Sequence, residues 1–189
     1  MKLKTAALLS VMVATPAAAD EFTAAAQEFY RSSVAQWASD PRLVAAITEQ
    51  NNRTTGYTQA EIDALDQAWR SEVGMADAPT IAPVLTSDVS DFLREQVAQS
   101  GGRITEVFVM DGVGLNVATS DVTSDYWQGD EEKFTETFGQ GPGALHVSEI
   151  ELDESTQRYQ GQVSVTIVDP ATGLPIGAMT VGVDAESLM

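Results

Sequence analysis

The sequence predicts one α+β domain in which helices precede a five-stranded antiparallel sheet. Up to Gly101 and Gly102, apolar residues recur every three or four positions, a spacing typical of amphipathic helices. From Arg103 onward the period falls to two, the spacing of a strand with one buried face. Turn residues rather than helices separate the later strands, so neighbouring strands are expected to run antiparallel.

The composition excludes several classes of function. The chain has 189 residues, a length that suits one domain, with 28 acidic and 10 basic side chains and a net charge of -18. This negative charge disfavours binding to nucleic acid or to an anionic membrane surface. The absence of cysteine excludes thiol nucleophiles, cysteine-ligated metals and disulfides.

The first 19 residues have the pattern of a cleavable secretory signal. Lys2 and Lys4 precede a short apolar stretch, and the alanines at 17–19 form an A-x-A cleavage site. The apolar stretch is shorter than the ~20 residues that a membrane-spanning helix needs. We therefore expect residues 20–189 to form a single mature domain in the periplasm, without a membrane span.

The long first helix is predicted over residues 22–50, with a restart at Asp40 and Pro41, because aspartate caps helices and proline fits their first position. Its apolar stripe of Phe22, Ala26 and Phe29 extends further than strands of ~17–20 Å can cover. Spacings of four and three are typical of a helix–helix seam, so the sequence favours a homodimer through this stripe. The alternative is that the first turns fray after signal cleavage.

Local signals also predict two shorter helices. Thr58 with Glu61 three residues later is a capping box, and Gly74 is expected to end that helix. Residues 78–83 contain two prolines and are predicted to form a loop. A third helix is predicted to begin at Ser87 or the next residue.

The strands follow from alternating hydrophobicity and from turn residues. The turn after the first strand is Asp-Gly-Val-Gly at 111–114. The predicted strands are Arg103–Met110, Leu115–Ser120, Leu145–Leu152, Gln160–Val168 and Ile176–Val183.

The segment 121–143, between the second and third predicted strands, differs from the rest of the chain. A connection of this length in a compact domain is usually functional or disordered, and its aromatic residues argue against disorder. Tyr126 and Trp127 stand beside hydrogen-bonding side chains, a combination that lines small-molecule pockets. The alternative is that Trp127 and Phe134 seal the sheet edge.

On the first interpretation this segment supplies a ligand site. Its carboxylates would favour an amine, an amidine-like group or a hydrated cation, and an acidic ligand would need an arginine. The predicted ligand-binding residues are Asp125, Tyr126, Trp127 and Asp130, with Arg158 as their electrostatic partner.

Three stretches carry a resemblance to a known family. They are FVMDGVGLNVA at 108–118, YWQGD at 126–130, and residues 169–182 with their Ile176–Gly177 step. In order and spacing, the chain from 20 to 189 resembles the Cache (PDC-type) extracellular sensor domains of bacteria. The resemblance implies a PAS-like sheet behind a long helix, with a small-ligand pocket between the sheet and the segment after the second strand. It also implies pairing through the long helix.

The chain departs from the usual arrangement of this family. Typical members lie between two transmembrane helices and pass their ligand state to a kinase, cyclase or chemotaxis module. This chain is expected to have only a cleavable signal peptide, so it would depend on a membrane partner. It also lacks the Arg-x-x-x-Trp-Tyr pattern of amino-acid-binding members. We expect a sensor that binds a small organic ligand and passes its state to a membrane-bound kinase or chemoreceptor.

Two alternatives come from other classes of protein. One is a structural or interaction protein whose pocket is filled by its own aromatic side chains. The other is a solute-binding protein that serves a transporter, which is less favoured because 170 mature residues hold one domain and cannot form a two-lobed clamp.

Catalysis, cofactors and metals have little support in the sequence. His146 is the only histidine, and the chain has no nucleophile elbow, zinc-protease motif or phosphate loop. Asp125, Asp130 and Glu132 do not reproduce the EF-hand spacing, although a weak cation site stays open. The acids after His146, among them Glu149, are interpreted as a solvated strand face. We therefore expect no enzyme activity, no cofactor and no metal.

Overall fold

The fold is described from a computed structural model, which covers the backbone of residues 16–153 and 158–189. Most of the predicted signal, residues 1–15, lies outside the described residues, and the first helix begins at Pro16. Within the described ranges, no helix has both the length and the apolar character needed to cross a membrane.

Most helices precede the sheet, as predicted. A π-helical turn, Tyr30–Val34, joins α1 to α2, and a 3₁₀ turn, Phe138–Gln140, follows α7. The α-helices are α1 (Pro16–Phe29), α2 (Ala35–Ala38), α3 (Pro41–Thr54), α4 (Gln59–Glu72), α5 (Ile81–Leu85), α6 (Asp88–Gln99), α7 (Glu132–Thr135) and α8 (Ala185–Leu188).

The predicted helix caps are confirmed. The Asp40 carboxylate accepts a hydrogen bond from the backbone N–H of Arg42 and begins α3. Thr58 and Glu61 form the full capping box of α4, and the hydroxyl of Ser87 accepts from the N–H of Ser90 at the start of α6. Each cap satisfies a backbone donor that has no partner within its helix.

The strands form one antiparallel sheet in the order β2-β1-β6-β5-β3, with β4 also paired to β5. The predicted α+β class with a PAS-like antiparallel sheet is confirmed. The strands are β1 (Ile104–Met110), β2 (Asn116–Thr119), β3 (Leu145–Val147), β4 (Glu151–Asp153), β5 (Arg158–Val168) and β6 (Pro175–Asp184).

The prediction of one strand over Leu145–Leu152 is wrong, because a bulge divides it into β3 and β4. Val147 pairs with Val163 and Glu151 with Gln160, so the edge carries one residue more than β5 between these pairs. At the bulge, the hydroxyl of Ser148 accepts the N–H of Gln162 at 2.9 Å. An extra residue of this kind bends the edge strand and interrupts its pairing.

The prediction of a loop over residues 78–83 holds for 78–80 and is wrong for the last three residues, because α5 begins at Ile81. The carboxylate of Glu72, at the end of α4, accepts hydrogen bonds from Thr80 and from the N–H of Ile81. Burial disfavours its charged form, but these hydrogen bonds outweigh burial and hold the pKa of Glu72 below its ordinary value. Pro83 lies in the first turn, where a missing N–H costs no helical hydrogen bond.

The sheet has two faces of different character. Helices α1, α3 and α6 cover the first face, where strand residues such as Val163 and Met179 are buried in the main core. Side chains alternate along each strand, so the residues between them face the other side. On this second face the hydroxyls of Ser164 and Thr180 are hydrogen-bonded to each other at 2.9 Å. The second face is therefore polar around β5.

The first face also buries the stripe that was expected to pair with a second chain. Phe22 is 1% exposed and Ala26 is 0% exposed within the single chain. The expectation of an uncovered stripe is wrong because α8 and β3 pack against α1 within the chain, and β5 does so at Gly161. Gly161 on β5 leaves room for the ring of Phe22, since a Cβ there would lie 2.4 Å from it. A homodimer stays a prediction, without this stripe as its interface.

Replacing Gly177 tests the packing of β6 against β1. A Cβ at Gly177 would lie 2.1 Å from the carbonyl oxygen of Met110, a backbone atom that cannot move without shifting the sheet. We expect Gly177→Ala to lower the free energy of unfolding by about 1–3 kcal/mol, as overpacking usually does. Gly139→Ala is the matched control, because a Cβ at Gly139 meets nothing within 4 Å. Equal denaturation midpoints for the two variants would contradict this packing.

Candidate functional site

The connection between β2 and β3, residues 120–144, crosses the second face of the sheet. Its first contact with the sheet is apolar: Phe134 and Phe138 stack with ring centroids 5.0 Å apart and pack with Phe108, Met110 and Ala178. These five side chains fill the space above β1 and the adjoining part of β6. In this part of the face, aromatic side chains of the connection cover the sheet.

Beside this cluster, the same connection leaves an open cavity of 430 Å³ above β5 and the edge strands. Its described lining carries five carboxylates, one lysine and one histidine. We call this space the acidic cavity, and it is lined by Asp130, Glu131, Glu132, Lys133, His146, Ser148, Glu149, Glu151, Leu152, Gln160 and Gln162.

The lysine and the histidine of the acidic cavity each lie beside a carboxylate. The ammonium of Lys133 lies 2.8 Å from the Glu131 carboxylate and 5.4 Å from the centre of the Phe108 ring. His146 Nε2 lies 3.8 Å from the Glu132 carboxylate. Since acids outnumber these two groups, the cavity has an excess of negative charge toward anything that enters it.

Of the five residues predicted for the site, the structure places Asp130 in the lining of the acidic cavity. Tyr126 instead stacks on Trp69 of α4, with centroids 5.0 Å apart and ring planes 3° from parallel. The indole N–H of Trp127 donates to the carbonyl oxygen of Val113 at 2.9 Å, in the β1–β2 turn. Both aromatic residues hold the connection in place, and neither is among the lining residues.

Asp125 and Arg158 lie in two other places. The Asp125 carboxylate is 3.5 Å from the guanidinium of Arg70 on α4. Arg158 pairs with Asp184 at 3.1 Å, and these two residues line a separate cavity of 280 Å³. The structure therefore does not bring Arg158 together with Asp130, and a ligand contact by Arg158 stays a prediction.

Sequence reasoning missed most of the cavity lining. Gln160 and Gln162 alternate with buried residues on β5, and this alternation was visible in the sequence. Glu149 and Glu151 were interpreted as solvated because nothing local shows that the connection passes above them. Lys133 carries no motif at all. Within the described ranges, no group of three or more potential metal-binding side chains is placed to hold a metal ion.

Two glycines set how closely the connection approaches the β1–β2 turn. A Cβ on Gly114 would lie 2.5 Å from the Cα of Gly129, so neither position accepts a side chain without displacement. Gly114 also has a φ of +88°, which L side chains rarely adopt. The N–H of Gln128 donates to the carbonyl oxygen of Gly114 at 2.8 Å, which fixes the start of the cavity-lining stretch.

Comparison with known proteins supports the fold. No protein-family model matches the chain, and no curated protein is significantly similar to it in sequence. The sensor domain of the V. cholerae histidine kinase DctB is 14% identical and superposes with a TM-score of 0.52 over 91% of this chain. The chain has the fold of this sensor domain, as the resemblance of its sequence to Cache domains implied. It spans 55% of the length of that DctB domain.

Other solved structures match with lower scores. The sensory domain of the Campylobacter jejuni chemoreceptor Tlp3, with isoleucine bound, is 14% identical, with a TM-score of 0.40 over 89% of this chain and 64% of its own. The ligand-binding domain of the Pseudomonas aeruginosa amino-acid chemoreceptor PctC, in complex with GABA, is also 14% identical. Its TM-score is 0.38 over 77% of this chain and 59% of its own.

The pKa of Tyr126 shows whether its ring is packed inside the protein or exposed to water. Burial raises the pKa of its phenol to about 12. This pKa exceeds the ordinary value of 10.0, so the protonated phenol of Tyr126 contributes to the free energy of unfolding. That contribution is complete below pH 10 and is lost as the pH rises toward 12. We expect the tyrosinate difference spectrum between the wild type and Tyr126→Phe to stay flat until about pH 11. A step near pH 10 would show that Tyr126 faces water.

Proposed function

We propose that the protein is a periplasmic sensor that binds a small organic ligand in the acidic cavity and passes its ligand state to a membrane-bound kinase or chemoreceptor. The observation that carries this proposal is the 430 Å³ cavity between the second face of the sheet and the β2–β3 connection. Ligand sites in proteins are commonly clefts of ~300–1,000 Å³ with a few polar groups. The cavity therefore supports a sensor more strongly than a scaffold with a filled pocket.

The charge of the lining supports a positively charged ligand. Lys133 pairs with Glu131, and the remaining carboxylates of the lining add negative charge that this lysine does not balance: Asp130, Glu132, Glu149 and Glu151. An organic amine or guanidine would find carboxylate acceptors and the side-chain amides of β5, whereas a dicarboxylate would meet repulsion.

Binding rather than catalysis is supported by the groups in the cavity. The nearest partner of His146 among charged residues is Glu132, and the hydroxyl of Ser148 donates to the backbone oxygen of Glu149. An activated nucleophile needs a base within hydrogen-bond reach, and this lining does not pair Ser148 with His146. We therefore propose a function without enzyme activity or a cofactor.

The cellular setting and the partner rest on other observations. The signal pattern of residues 1–19 supports export to the periplasm, with 20–189 as a single mature domain. The DctB domain, which shares the fold, is the sensor domain of a histidine kinase, and this supports a membrane kinase as the partner. A transporter-linked solute-binding protein is less supported, because a single domain offers no second lobe to close around a ligand.

Thermal denaturation with a matched pair of ligands tests the proposal. We expect 1,4-diaminobutane at 100 times its dissociation constant to stabilise the fold by ~2.7 kcal/mol, and succinate at the same concentration and ionic strength to have no effect. Glu149→Gln removes one carboxylate from the cavity and is expected to weaken diamine binding about tenfold. Asp77→Asn is the control, since Asp77 is exposed and lies outside the described cavity lining.

Three outcomes would count against parts of the proposal. Stabilisation by succinate alone would contradict the preference for cations. Equal weakening by Glu149→Gln and Asp77→Asn would show that the effect is one of net charge and not of the cavity. No stabilisation by any diamine, monoamine, guanidine or carboxylate would contradict the sensor itself.

A further inference from the structure

The contacts of α4 lead to the segment that borders the acidic cavity. The Asp66 carboxylate accepts the backbone N–H groups of Tyr126 and Trp127 at 2.9 and 3.1 Å. The indole N–H of Trp69 donates to the carbonyl oxygen of Thr123 at 2.8 Å. One turn of α4 thus holds residues 123–127 through side chains, while Glu72 at its end holds α5.

A continuous series of polar contacts joins this anchored segment to the cavity. Lys133, which lines the cavity, donates to the side-chain carbonyl of Gln128 at 3.3 Å. The amide nitrogen of Gln128 donates to both the carboxylate and the backbone oxygen of Asp125. Asp125 in turn lies 3.5 Å from the guanidinium of Arg70, which is also 2.7 Å from Asp66.

Gln128 is the most buried member of this series. Its side chain is 1% exposed, so both ends of its amide depend on protein partners. A buried amide that loses one partner carries an unsatisfied polar atom, and this favours a rearrangement of its surroundings. Because water does not reach Gln128, we expect a change in the position of Lys133 to alter the contact of Gln128 with Asp125.

We propose that this series, Lys133–Gln128–Asp125–Arg70, couples the acidic cavity to the attachment of α4, with Gln128 as its positioning residue. The proposal rests on the proposed ligand site. A cation that pairs with Glu131 competes with Lys133 for that carboxylate, and displacement of Lys133 removes the donor to Gln128. In one state α4 is attached to residues 123–127, and in the other it is released from them. The ligand shifts the populations of these two states only as far as the affinity of the ligand differs between them.

Hydrogen exchange tests the coupling without any ligand. We expect Lys133→Met to speed amide exchange in α4, residues 59–72, about tenfold, as the loss of one charged hydrogen bond would. Exchange in β5 and β6 should stay at the wild-type rate. Arg31→Met is the matched control, because it removes one cation from an exposed pair with Glu28 on α1. Unchanged exchange in α4, or equal acceleration across the sheet, would overturn the coupling.

A double variant distinguishes a series from independent effects. Arg70→Gln breaks the far end of the series, so adding Lys133→Met to it is expected to produce no further acceleration in α4. Additive effects would overturn the proposal. Adding 1,4-diaminobutane to the wild type is expected to speed exchange in α4 as well. If the diamine does not bind but the variants behave as expected, the ligand assignment fails and the coupling stands.

Discussion

The buried carboxylate of Asp111 is the interaction on which the site depends. It is 0% exposed and accepts hydrogen bonds from the Gln50 amide, the Thr54 hydroxyl and two backbone N–H groups of its own turn. Neutral donors therefore satisfy a charge that would otherwise be costly to bury. Asn51, next to Gln50 on α3, accepts the N–H of Gly112 and donates to β6 at Ile176. The β1–β2 turn is thereby fixed to both the helices and the sheet.

The position of this turn determines where the β2–β3 connection begins to cross the sheet. Val113 and Gly114 supply the carbonyl oxygens that bind Trp127 and Gln128. From there the chain covers the apolar part of the second face with Phe134 and passes above β5 without filling the space. The residues of β5 on this face are polar. Leaving them open to water therefore gives up little of the stabilisation that comes from burying apolar surface.

Local sequence signals were sufficient for much of the fold. Capping residues such as Thr58 and alternation along β5 act within a few residues of the element they define. The errors arose where a distant residue decides the outcome. Glu72 caps α5 from the preceding helix, and the bulge at Ser148 depends on its hydrogen bonds to Gln162.

The candidate site was predicted only in part for the same reason. Tyr126, Trp127 and Asp130 were all predicted from the same short segment. The structure places Tyr126 on α4 and Trp127 on the β1–β2 turn, whereas Asp130 borders the cavity. Their partners, Trp69 and Val113, lie far from them or on another element. Which aromatic residue contacts a ligand is thus a property of tertiary packing, and the composition of a segment does not decide it.

The acidic cavity is the proposed ligand site of this chain. Backbone ¹H–¹⁵N chemical shifts followed during a titration with 1,4-diaminobutane test this claim most directly. We expect saturable shifts at residues 130–133, 146–149 and 160–162, with smaller shifts at 125–128. Shifts confined to Arg158 and Asp184, or a uniform linear drift without saturation, would contradict it.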